Sequence, residues 1–158
     1  MKKTLLMLVA VSLLALTACT KTKSVEALQK QADEIVTEEG TIPYDRICES
    51  IDLYEEILDK AIDVYEDFDL DDEDDVKEAD NITNLVSDFW ASIEKTAEDN
   101  EEEYEKQISK LPEGAFEATF GRIEEKREKL NELKQEKVYQ NSEKLKMSFH
   151  LKFSQTQK

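Results

Sequence analysis

Ile47, Ile51, Tyr54, Leu58, Ala61, Tyr65 and Phe68 follow one another at spacings of 4, 3, 4, 3, 4 and 3 residues. No other feature of the chain restricts its fold so strongly, because this alternation keeps apolar side chains on one face of an α-helix over six turns. Ile57, Ile62 and Val64 flank the seam, and so does Cys48. A stripe this wide exceeds what a two-stranded zipper buries and implies the interior of a helical bundle.

The neighbouring segments repeat the pattern. Ser24 is placed to cap a first helix carrying Val25, Leu28, Ala32, Ile35 and Val36, with Gly40 placed to end it. A third helix is expected from about Asp74 to Lys110, with Ala79, Ile82, Leu85, Val86, Phe89, Trp90, Ile93 and Ala97, then Tyr104, Ile108 and Leu111, on its stripe. The run "AEDNEEE" at 97–103 thins that stripe and is a place for the helix to bend. Pro112 stops this helix and suits the first turn of a fourth, which carries Phe116, Phe120, Ile123, Leu130, Leu133 and Val138. Between these, "EEKREK" at 124–129 is charged throughout and is expected to be a solvated face, with Glu125 and Lys129 as an i,i+4 pair. From Met147 the apolar residues Met147, Phe149, Leu151 and Phe153 alternate with polar ones, which reads as an extended segment. The expected fold is all-α: an elongated antiparallel bundle of three to four helices over 24–146, with an extended tail over 147–158.

The N-terminus has a different character. Lys2 and Lys3 precede an uncharged, largely apolar stretch from Thr4 to Ala18, which is the pattern of a secretory signal and is short for a membrane span. It ends in Leu16-Thr17-Ala18-Cys19. This resembles the lipobox of bacterial lipoproteins. The resemblance implies that residues 1–18 are removed as a signal peptide and that Cys19 becomes a lipid-modified N-terminus. It also implies a bilayer as partner through the acylated Cys19, with residues 19–23 as a short linker. The residue after the cysteine is Thr20, not aspartate, which resembles an outer-membrane address more than an inner-membrane one.

Charge narrows the remaining functions. The full chain carries a formal charge of −17, and the loss of Lys2 and Lys3 with the signal makes this −19. Nucleic acid is excluded as a partner by this balance. With Cys19 acylated, Cys48 is the one remaining thiol, so no intrachain disulfide forms. Its place beside the seam implies burial.

Ten of the fifteen residues from Glu66 to Asp80 are acidic. Asp67, Asp69, Asp71, Asp75 and Glu78 fall at ligand positions 1, 3, 5, 9 and 12 of a calcium-binding EF-hand loop. Asp72, however, stands where that loop requires glycine for its sharp turn. The competing account is helix capping: Asp71 or Asp72 accepts from free amides of the third helix, and Glu73, Asp74 and Asp75 lie in its first turn.

No catalytic residues are assigned. His150 is the sole histidine, and no zinc spacing, phosphate loop or nucleophile elbow occurs. The sequence therefore points to a non-catalytic interaction or structural module of the bacterial cell envelope, without a cofactor beyond its lipid. Its partner is another envelope protein or a second copy of itself. A calcium-binding protein using residues 67–78, and a surface adhesin or inhibitor, are the alternatives.

Overall fold

The computed structural model describes residues 23–155, with side chains described as far as Asn141. Five α-helices and one 3-10 turn occupy this span, and no strand occurs among the described residues. The helices are α1 (Val25–Ile35), α2 (Ile47–Asp67), α3 (Glu73–Asp99), α4 (Glu101–Ile108) and α5 (Ala115–Gln155), with the 3-10 turn at Tyr44–Arg46. The protein is all-α. Among the described residues, no helix is long and apolar enough to cross a membrane.

Local chemistry sets each boundary. Ser24 caps α1, its Oγ accepting from the Ala27 amide at 3.3 Å. The helix ends at Ile35, before Gly40. Gly40 sits instead at φ +74° in a Thr37–Thr41 loop, which is closed by the Thr37 amide donating to the Thr41 carbonyl. Asp72 caps α3, accepting from the amides of Asp74 and Asp75.

The expected third helix is two helices. Asn100, extended at φ −158°, breaks the chain, and its side chain accepts from the Glu103 amide to start α4. Pro112 lies in the turn before α5, not in its first helical turn, and Gly114 takes φ +76° there.

The second helix holds the middle of the fold. It packs against α3 and α5, with α1 against the other side of the α2–α3 pair. Ile47, Tyr54, Ile57, Leu58 and Ala61 are buried to within 1% of full exclusion and meet Leu28 of α1, Ile82 and Phe89 of α3, and Ile123 of α5. The Glu55–Arg122 and Glu66–Lys129 pairs show that α5 runs in the same direction as α2. Arg46 donating to the Glu34 carbonyl, and Lys23 pairing with Glu56, show that α1 runs against it.

Three expectations are corrected. Cys48 is half-buried, at the margin of the stripe and not within it. The 124–129 run is largely exposed, as expected, but it is not free of the bundle, because two of its lysines are tied to α2. Lys126 pairs with Glu55 and Asp59, and Lys129 pairs with Glu66 of α2. Met147 to Gln155 is helix, the continuation of α5, and not an extended segment. An isolated strand leaves its backbone groups without partners, whereas a helix satisfies them internally. The alternation also places Met147 four residues from Leu151, and Phe149 four from Phe153, a spacing that a helix accepts equally. Residues 156–158 lie outside the described span.

Candidate functional site

Three regions concentrate polar or aromatic chemistry: the α2–α3 junction, the α2–α5 face, and a groove at the far end of the bundle.

At the junction, three of the candidate calcium-ligand carboxylates are already engaged with the protein. Asp69 Oδ1 accepts from the Asp71 amide at 3.0 Å, and Asp75 Oδ2 accepts from the Asp69 amide at 2.9 Å. Glu78 pairs with Lys60 at 2.9 Å, and Asp67 is the last residue of α2. Among the described residues, no group of three or more histidine, cysteine or carboxylate side chains is arranged to hold a metal ion. The five acids thus bracket a helix start. Asp72 is the cap, with Glu73, Asp74 and Asp75 in the first turn, where the helix dipole favours negative charge.

The α2–α5 face joins ions to aromatics. Glu55 accepts from Arg122 Nε at 2.8 Å and from Lys126 Nζ at 2.9 Å. The Arg122 hydrogen bond, reinforced by Lys126, holds the Glu55 carboxyl down at about 2, against the opposing pull of desolvation. Beside it, Trp90 packs on Tyr54 with ring centroids 4.9 Å apart and on Phe120 at 6.1 Å. The Arg127 guanidinium lies 4.9 Å above the Trp90 ring. Burial pushes the Tyr54 hydroxyl above its usual range. These contacts are all internal, so Trp90 serves as a packing anchor.

The groove lies where α3 ends, along α4, and against the first turn of α5. Its volume is about 670 Å³. Ala97, Tyr104, Ile108 and Phe116 supply apolar lining, and the exposed Glu98, Glu101 and Glu105 stand around it. It exists because Asn100 turns the chain. Tyr104 and Ile108 stay on the apolar stripe, but α4 is a two-turn helix that leaves them only half covered. Burial raises the Tyr104 hydroxyl above its ordinary range, with the nearby Cys48 thiol adding to the effect. Sequence reasoning missed this groove; the one signal for it is the thinned stripe at 97–103.

Cys19 lies outside the described residues, and so does the side chain of His150. No family model, curated protein or solved structure matches the chain.

Proposed function

We propose that the protein is a lipid-anchored, non-catalytic interaction or structural module of the bacterial cell envelope. Its folded part is an elongated antiparallel bundle built on α1, α2, α3 and α5, with α4 as a short end piece. The observation that carries this reading is the Leu16-Thr17-Ala18-Cys19 sequence behind a basic and then apolar leader, five residues ahead of a helix capped by Ser24. Five extended residues reach about 16 Å. An acylated Cys19 would therefore hold the bundle close against a lipid surface. A single acyl chain binds only marginally, whereas two or three chains on one cysteine give lasting attachment.

Support for a non-catalytic role comes from how the polar side chains are used. Glu55, Asp59, Glu66 and Glu78 are tied up in ion pairs between helices, and Asp69, Asp72 and Asp75 in hydrogen bonds to backbone amides. An outer-membrane address follows from Thr20 under the sorting resemblance. The test is metabolic labelling with a radioactive fatty acid in cells producing the full chain. The parent takes up label and fractionates with membranes, and Cys19→Ser does neither. Equal fractionation of the two forms would end this reading.

A further inference from the structure

We infer that the groove lined by Ala97, Tyr104, Ile108 and Phe116 receives the C-terminal segment of a second copy of the chain. This deepens the interaction-module reading, on which it rests, by naming the partner.

The groove asks for a ligand that is apolar and cationic. Its half-covered aromatic and aliphatic residues offer area to bury, and Glu98, Glu101 and Glu105 offer negative charge around that area. The sequence holds one stretch of matching chemistry. Residues 24–136 carry 37 acidic against 12 basic side chains, whereas residues 137–158 carry five lysines against the single Glu143. The same stretch holds Met147, Phe149, Leu151 and Phe153. Its backbone is helical as far as Gln155, so it can enter as a preformed helix laid in a groove.

Geometry makes the donor another molecule. Phe116, in the first turn of α5, lines the groove, and α5 then continues unbroken for 41 residues. At 1.5 Å per residue its far end lies about 60 Å away. The segment cannot fold back onto its own groove without breaking that helix. Val138 and Tyr139, just ahead of that segment's apolar residues, are 68% and 66% exposed. Donor and acceptor at opposite ends of one molecule make a head-to-tail contact, which closes into a ring or continues as an open chain. The acidic 66–80 junction is the weaker host, because Glu66, Asp69, Asp72, Asp75 and Glu78 are occupied by amides and lysines, and the hollow beside it is lined mostly by charged residues.

The test titrates a fluorescently labelled peptide of residues 137–158 into the intact chain and follows anisotropy. Saturable binding is expected. It should weaken at least about tenfold in the triple variant Glu98→Lys, Glu101→Lys, Glu105→Lys, and also on raising salt from about 0.1 to 1 M. A matched variant on the exposed face of α5, Glu124→Lys, Glu128→Lys, Glu132→Lys, should bind like the parent. An independent arm places a photo-crosslinking residue at position 149 of the full chain and maps the product. Adducts within 97–116 of another molecule support the docking even where the triple variant fails to fold. Absence of peptide binding, equal loss in the matched variant, or adducts only within 66–80 would overturn it. None of these results bears on fatty-acid incorporation at Cys19, so failure of the docking and failure of the anchor are told apart.

Discussion

Lys126 of α5 stands 2.9 Å from Glu55 of α2 and, on its other side, 2.8 Å from Asp59 one helical turn further on. Arg122 closes on the same Glu55 from the preceding turn of α5 at 2.8 Å. The Glu55 and Lys126 side chains are only 17% and 23% exposed, so this cluster is more shielded than an ordinary surface pair. Removing Glu55 leaves two cations facing each other without their shared carboxylate. Glu55→Gln is expected to cost about 1–2 kcal/mol in urea unfolding at pH 7, allowing for the solvent that reaches Arg122.

The same pair sets an acid dependence. The Glu55 carboxyl titrates at about 2 in the folded protein and at its ordinary value of 4.5 when unfolded. A depressed folded value means that the unfolded chain takes up the proton first. The stabilisation is therefore complete above about pH 4.5 and is lost as pH falls toward 2. The difference in unfolding free energy between parent and Glu55→Gln should shrink across that window and be flat from pH 5 to 8. A difference that stayed constant down to pH 2 would show that Glu55 acts by packing and not by charge.

Thr96 is almost wholly buried and serves the loop before α2. Its hydroxyl accepts from the Ile42 amide at 2.7 Å and donates to the Ser92 carbonyl at 2.7 Å. Thr96→Val keeps the shape and removes the acceptor, leaving the Ile42 amide buried and unpaired. The expected loss is about 1–3 kcal/mol, with Thr96→Ser restoring most of it. Equal losses in the two variants would trace the effect to the methyl group instead.

What the sequence disclosed follows from how each contact is encoded. Burial against a neighbouring helix repeats every turn, so the Ile47–Phe68 seam was readable from spacing alone, and α2 spans Ile47–Asp67. The Ser24 cap acts within three residues and was equally legible, and the α3 cap was narrowed to Asp71 or Asp72, of which Asp72 serves. Asn100 was not, because an asparagine among glutamates has no local mark to separate a helix break from a solvated turn. Lys126 and Lys129 looked like surface charge because their partners lie 67 and 63 positions away in the chain. The groove combines both blind spots: a break at Asn100 and a long-range closure by Phe116. The segment after Met147 misled for another reason, since four apolar residues at every second position satisfy either period.

Asp72 distinguishes a cap from a calcium ligand. Its Oδ1 accepts from the Asp74 amide at 2.8 Å and from the Asp75 amide at 3.4 Å. Asp72→Ala should lower stability by about 1 kcal/mol, and Asp72→Asn by much less, because the amide oxygen still accepts. As a cap effect, the alanine loss should be the same in millimolar calcium and in EDTA. A saturable rise of the parent's melting temperature with calcium, absent from Asp67→Asn with Glu78→Gln, would instead establish a cation site.

Lys137 donates to the Phe68 carbonyl at 3.1 Å. Val138 and Tyr139 are two-thirds exposed one and two residues later. Because the docking assigns the segment after Asn141 to a neighbouring copy, a chain ending at Asn141 should melt within a few degrees of the parent at high dilution, a change of about 0.5 kcal/mol or less. Its ellipticity at 222 nm should fall by the share of helix removed, from Ser142 to Gln155. A large drop in melting temperature at high dilution, where copies are separate, would mean that the end of α5 belongs to its own bundle. A drop seen only at high concentration would mean that the removed residues had been stabilising neighbouring copies, as docking into the groove requires.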